Sequence, residues 1–263
     1  MIDLQLIGIG TGDPEHLTLQ ALRVLNSADL VLIPHKGVNK GDLAALRHTL
    51  CTQHLNRPVP VVGFDLPVRD ASTDSYLGGV QDWHDAIAAT WSRLIQQHRP
   101  QGGRVALLVW GDPSLYDSSL RIAERLRAGG LMLQVQVVPG LSSLQLLTAV
   151  HAIPLNTLGG PVLITTGRQL RAHGWPAGVD TVVVMLDGDC TFQTLPPDAL
   201  TIYWAAYLGM PQQLTLAGPL ASTGLVIVQA RAAARAAHGW LMDIYLLRRQ
   251  PSGLPPPTLP SLR

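Results

Sequence analysis

The sequence predicts an α/β protein built from two domains, and three observations carry that expectation. Strand-like and helix-like patterns alternate through the first half, the arrangement that gives right-handed crossovers and a mainly parallel sheet. The strand-like runs there are continuously apolar, as strands covered on both faces are. After Val150 the texture changes to short apolar runs between Gly- and Pro-rich turns, which reads as a smaller α+β domain with a mixed sheet. The expected division is an N-terminal domain at residues 1–142, a C-terminal domain at residues 143–249 and a proline-rich, disordered or extended tail at residues 250–263.

The elements follow in order. Strands are expected over Leu4–Ile9, Asp29–Ile33, Val59–Gly63, Arg104–Trp110 and Met132–Val138, with helices over Thr18–Asn26, Asp42–Leu50, Tyr76–Gln97 and Ser118–Ala128. In the third helix Val80, Ile87, Trp91, Leu94 and Ile95 return at helical spacing. The second half offers strand-length runs at Val162–Thr165, Thr181–Leu186, Leu200–Ala205, Leu214–Ala217, Leu225–Gln229 and Trp240–Leu247.

Composition bounds the function. Of 263 residues 47% are hydrophobic and 14% charged, which excludes a disordered chain. A net charge of +1 leaves no broad basic footprint for nucleic acid, so an anionic partner must be met locally. Cys51 and Cys190 are far apart and form neither a disulfide framework nor a metal-ligand spacing. The N-terminus lacks a basic signal-peptide region, and no apolar run reaches the ~18 residues of a membrane helix. The expectation is a cytoplasmic protein with no metal, no membrane partner and no nucleic-acid partner.

The chemistry concentrates in three glycine-bearing turns. LQLIGIGTGDPEHLT places Gly8, Gly10 and Gly12 directly after the first strand, where bare backbone permits a tight turn and a close ligand approach. It is not a dinucleotide fingerprint, because Asp13 stands where the third glycine belongs, and no G-K-[ST] follows for a phosphate loop. Alone, it is as readily a plain βα connection. The fourth and fifth parallel strands, however, end in WGDPSLYDSS and VVPGLSSLQ. Ligands of open α/β sheets bind along that carboxyl edge. There Asp112 can accept from a ribose or an amine, while Ser142 and Ser143 either cap a helix or bond a ligand.

The set GIGTGD, GDPSLY and PGLSS resembles the tetrapyrrole methylase family, class III methyltransferases that use S-adenosyl-L-methionine and release S-adenosyl-L-homocysteine. The resemblance extends to about Arg249 and implies two α/β domains with the cofactor in the cleft between them. By position it implies cofactor contacts at Thr11, at Gly111, Asp112 and Leu115, at Ser142 and Ser143, at Met185, and at Ala206, Tyr207 and Ala217. Thr11 stands where many relatives carry proline, and Asp117 where they carry glycine after the tyrosine. With GDPEHLTLQAL, LVLIPHKG, MLDGDC, YWAAYLGMP and HGWLMDIYLLR, these features resemble one branch of the family, acting in aerobic cobalamin synthesis. That branch implies methylation of C-1 of precorrin-5 with loss of the acetyl group as acetate after water addition, and a homodimer. A sister corrinoid methylase and a diphthine synthase, which methylates a protein, share the fold. A nicotinamide oxidoreductase or non-catalytic nucleotide-binding module lacks its strand-end acid here.

Methyl transfer asks mainly for alignment of nucleophile, methyl and sulfur. Removal of the acetyl group benefits from a base and an oxyanion donor, for which Asp187, Tyr116, Tyr207 and His35 are candidates. Each is as readily a turn acid, a buried tyrosine or a loop histidine. The implied tetrapyrrole is polyanionic and needs local cations: Lys36, Lys40, Arg47, Arg69 and Arg168 are candidates. Of 19 basic residues only Lys36 and Lys40 are lysines, both in IPHKGVNKGD, whereas an indifferent surface position in this chain would tend to be arginine.

Overall fold

A computed structural model of the protein describes residues 1–35, 41–68 and 76–249. The chain divides into two compact units, Met1–Ser142 and Ser143–Arg263.

The first unit runs β1 (Ile2–Gly8), α1 (Leu19–Ser27), β2 (Leu30–His35), α2 (Gly41–His54), β3 (Val61–Asp65), α3 (Tyr76–His98), β4 (Gly103–Val109), α4 (Ser119–Ala128) and β5 (Leu133–Val138). Its sheet has the order β3-β2-β4-β1-β5, and every pairing is parallel. The continuous apolar strands separate by alternation into two cores, as the period of two requires. On β1, Leu4 and Leu6 join Val105, Leu107 and Val109 of β4 beneath α3 and α4, where Trp91, Ile95 and Ile122 are buried. Ile7 and Ile9 turn the other way with Ala106 and Leu108, beneath Leu25 of α1 and Leu50 of α2. Thr18 starts α1 by accepting the Ala21 N–H at 3.0 Å.

The second unit holds α5 (Ser143–Val150), β6 (Val162–Thr166), α6 (Gly167–His173), β7 (Thr181–Met185), β8 (Leu200–Ala206), β9 (Leu214–Pro219), α7 (Leu220–His238) and β10 (Asp243–Arg249). Its sheet is mixed, in the order β6-β7-β10-β8-β9, with β6 and β7 parallel and the remaining pairs antiparallel. Leu146 and Leu147 of α5 pack on Val183, Tyr203, Ala205 and Leu246.

One expected strand is wrong. Leu225–Gln229 lies inside α7. A short apolar run is ambiguous in isolation. Here burial recurs at Leu220, Gly224, Ile227, Arg231 and Ala234, while Leu225 and Val226 are exposed. That is one face of a helix, continued by the alanine-rich stretch after it. The helix α6 was not expected at all; it follows β6 directly, with Thr166 accepting from the Gln169 N–H.

What positions the site is the carboxyl edge of three adjacent strands. β1 lies between β4 and β5, so the turns after them emerge side by side. They are knitted through backbone: Gly111 N–H donates to Gly10 O at 2.8 Å and Ile9 N–H to Val109 O at 3.0 Å. A Cβ at Gly8 would stand 2.6 Å from Gly140 N and 2.9 Å from Gly111 O, and one at Gly140 would strike Gly111 O and lie 2.7 Å from Gly8 C. Gly140→Ala is therefore expected to destabilise the N-terminal unit by about 1–3 kcal/mol, because backbone atoms cannot yield as side chains do. Denaturant unfolding measures this, and an unchanged midpoint would refute the close packing.

Candidate functional site

In the N-terminal unit the site is built on the three knitted turns. Thr11 and Ser142 are buried, Ser143 opens α5 of the other unit, and Leu115 is half-buried. The Asp112 carboxylate is engaged within the protein. Its Oδ1 accepts from the Ser114 N–H at 2.8 Å and from the Ser114 hydroxyl, and its Oδ2 accepts from the Gly140 N–H at 2.9 Å. Burial pushes this carboxyl up, but those hydrogen bonds outweigh it and hold the group below the usual carboxylate range. The side chain expected to meet a ligand thus joins the fourth-strand turn to the fifth. Tyr116, 45% exposed, sits at φ 49°, and partial burial raises its hydroxyl, which stays protonated at neutral pH.

Among the expected substrate cations, Arg47 is enclosed within the N-terminal unit. It is 5% exposed; Nε donates to Leu108 O at 2.8 Å and a terminal nitrogen to Leu43 O at 3.0 Å. Burial lowers it to about 10, with Asp117 opposing, so it remains charged. The physical reason for its place is the end of the β2–β4 ladder. Pairing stops at Leu32, before Pro34, which has no N–H to donate, and the guanidinium serves the next β4 carbonyl instead. Arg168 is exposed on the first turn of α6. His35 lies 3.7 Å from Asp65 Oδ1. Lys36, Lys40 and Arg69, and the tail at residues 250–263, lie outside the described residues.

In the C-terminal unit β7 and β8 both run antiparallel to β10, so their carboxyl ends share one edge of the sheet. Met185 faces Ile244 and Ala206 faces Asp243, on either side of the start of β10. Ala217 is farther in, opposite Tyr203. Leu186 and Tyr207, immediately after these strand ends, hold left-handed backbones at φ 53° and 52°. Three of the expected contacts, Leu115, Met185 and Ala206, are thus each followed by a strained non-glycine residue. No feature of the sequence marked that strain.

Two candidates for acid–base work are committed to the fold. Asp187 is buried, and its carboxylate accepts from the Thr191 N–H at 2.6 Å, the Tyr245 hydroxyl at 2.7 Å, the Thr191 hydroxyl at 3.0 Å and the Asp189 N–H at 3.1 Å. Burial alone would raise it, yet these donors hold it below the usual range, which makes it a poor base. The Tyr245 hydroxyl is pushed far up by burial and by that carboxylate. Asp187 also leaves no room for a Cβ at Gly167. Tyr207 is 1% exposed; its hydroxyl donates to Trp240 O, and its ring meets the Trp240 ring edge-on at 5.1 Å.

Of the three N-terminal turns, GIGTGD carries Asp13, WGDPSLYDS carries Asp112 and Asp117, PGLSS carries no charge, and none has a lysine or arginine. Such a surface suits a ligand bearing positive charge and ill suits one bearing phosphates. Among the described residues no group of histidines, cysteines and acids could hold a metal ion.

Residues 3–223 match the family described as Tetrapyrrole (Corrin/Porphyrin) Methylases. The chain belongs to that family. Within it, the chain is 46% identical over 251 residues to the "Precorrin-6A synthase [deacetylating]" of Sinorhizobium sp, covering 95% of this chain and 96% of that protein. It also matches the crystal structure of a putative cobalamin synthesis related protein (CobF) from Corynebacterium diphtheriae, with TM-score 0.79 and 37% identity over 95% of this chain and 99% of that one. The fold is shared, at TM-score 0.56 and 20% identity, with a uroporphyrin-III C-methyl transferase from Thermus thermophilus complexed with S-adenyl homocysteine, over 94% of this chain and 97% of that one.

Asp187→Asn is expected to lower stability at neutral pH by about 1–3 kcal/mol, because an amide presents N–H where a carboxylate accepted. Because the folded group is depressed, its contribution is complete above its unfolded value near 3.8 and is lost as pH falls through the lower folded value. Thermal melts of parent and variant should converge in that acid window. A turnover loss with unchanged melting would instead assign Asp187 to chemistry.

Proposed function

We infer that the protein is an S-adenosyl-L-methionine-dependent C-methyltransferase of cobalamin biosynthesis, methylating C-1 of precorrin-5 and releasing acetate to give precorrin-6A. The observation that carries this reading is the identity of 46%, spread over 95% of the chain, with a protein of that activity. The turns are consistent with it: S-adenosyl-L-methionine carries a sulfonium and an ammonium and no phosphate, and the residues present fit such a group. When bound, it supplies an electrophilic methyl group.

The chain's own residues supply placement. The residues for the methyl donor are Thr11, Gly111, Leu115 and Ser142 in the N-terminal unit and Ser143, Met185, Ala206, Tyr207 and Ala217 in the C-terminal unit, Tyr207 through its backbone. Asp112 keeps the fourth-strand turn in shape. Tyr116, with its proton retained, donates to the acetyl carbonyl oxygen as charge develops there. Lys36, Lys40 and Arg168 meet the carboxylates of the macrocycle. Among the described residues no helix is long and apolar enough to cross a membrane, which accords with a cytoplasmic enzyme. A chain with 14% charged residues also suits a homodimer.

The test is incubation with precorrin-5 and methyl-labelled S-adenosyl-L-methionine, expected to give labelled product and acetate in equal amounts. Label without acetate would make the protein a sister methylase, and absence of S-adenosyl-L-homocysteine binding in calorimetry would reject the methyl-donor site. Lys36→Ala and Lys40→Ala should each raise the KM for precorrin-5 about tenfold, the worth of one charge-assisted contact, and leave S-adenosyl-L-homocysteine affinity unchanged. If both variants keep the parent KM, these lysines are surface groups.

A further inference from the structure

Ser118 stands at the N-cap of α4, yet its hydroxyl makes no cap hydrogen bond. Its backbone is already helical, at φ −104° and ψ −5°, whereas a capping serine adopts an extended conformation. The first N–H of the helix is served by the neighbour: Asp117 Oδ1 accepts from the Ser119 N–H at 2.7 Å. The Ser118 Oγ lies instead 2.9 Å from Nε2 of His84 on α3. His84 is 4% exposed, while Ser118 is half-buried and ends the turn that leaves the carboxyl end of β4, two residues beyond the strained Tyr116. A hydroxyl at the end of the β4–α4 turn is therefore joined to an interior imidazole, whose Nε2 accepts from it when the ring carries its proton on Nδ1. Burial, Arg125 and Arg121 of α4 push that imidazole down, against Asp85 of α3 and Asp117 of the turn. It is neutral at pH 7, the form that accepts a proton.

We propose that Ser118 and His84 form the proton relay for acetate release, Ser118 touching the attacking water and His84 receiving the proton through it. This rests on the reading of the protein as a deacetylating methyltransferase. The water oxygen bonds to the acetyl carbonyl carbon; its proton passes to Ser118 Oγ as the serine proton passes to His84 Nε2. The bond between the macrocycle and the acetyl carbon then breaks, its electron pair going to the conjugated ring. The proton held by His84 returns through Ser118 to the macrocycle, and acetic acid departs. No oxidant or reductant is needed. Methyl transfer, which requires alignment and no base of this kind, does not use the pair.

The experiment counts methyl label and acetate separately for the parent, Ser118→Ala and His84→Gln, each with precorrin-5 and methyl-labelled S-adenosyl-L-methionine. Ser118→Ala leaves α4 capped by Asp117, and His84→Gln keeps a hydrogen-bonding partner for Ser118 but removes the base. The expected result is methylation within about threefold of the parent, at least a roughly hundredfold loss of acetate per methyl, and accumulation of a methylated product that still bears its acetyl group. The parent's acetate rate should fall on acidification only below about pH 6.5, as His84 takes up a proton. If His84→Gln matches the parent, or if methylation and acetate fall together, the pair is a strut between α3 and α4 and the relay is overturned. A parent that methylates without releasing acetate would instead overturn the deacetylating reading itself.

Discussion

The close backbone packing of Gly8, Gly111 and Gly140 is the constraint on which the N-terminal unit depends. Three parallel strands lie side by side in register, so their following turns emerge at the same level and must share very little space. A Cβ at Gly8 or Gly140 would strike facing backbone, whereas Gly111 needs bare backbone for its φ of 70° and contributes the carbonyl oxygen that the other two pass. Once they do, backbone N–H and C=O groups of one turn satisfy those of the next, and the Asp112 carboxylate completes the joint at Gly140. The result is a rigid edge whose turns carry Asp13, Asp112 and Asp117 and no lysine or arginine of their own.

The C-terminal unit obtains rigidity by another route. Arg231 of α7 is buried and donates to Asp243 at 2.7 Å, to the Asp187 carbonyl at 2.6 Å and to Cys190 Sγ at 2.7 Å. Trp204 adds a donor to the same Asp243 carboxylate at 2.8 Å. Removing one partner of such a network leaves a buried charge uncompensated, at a cost of about 3–5 kcal/mol. Because the network joins α7, the start of β10 and the turn after β7, it holds the strand ends where Met185 and Ala206 lie. The left-handed backbones at Leu186 and Tyr207 are strained conformations that persist because packing around them over-determines the chain.

Polar residues near a functional edge therefore divide by what their atoms already do. Asp187 and Tyr207 are satisfied by internal partners, and Arg47 is enclosed under the β4 carboxyl end. Ser118 is withheld from its own helix cap and lies instead within hydrogen-bond distance of His84. The chemical types expected at the site are present, but which individuals are available follows from hydrogen-bond geometry.

Much of the fold was legible from local pattern. Apart from Leu225–Gln229, the expected strand runs and the four expected helices lie where periodicity placed them, within the few residues by which element ends vary. The three glycine-bearing turns announced themselves because a turn's requirement for bare backbone is written at single positions. By contrast, LVIVQ reads equally as strand or helix until a neighbouring sheet selects one face of it, and α7 was the outcome. Nor could Arg47 be told from a surface cation, since the carbonyl it serves lies on a strand 61 residues away. The pairing of Ser118 with His84 spans 34 residues between two helices and leaves no local trace. Local sequence determined where the backbone turns and which segments bury apolar surface; long-range packing alone decided which polar groups are satisfied inside and which remain for chemistry, because a hydrogen-bond partner is chosen by proximity in space.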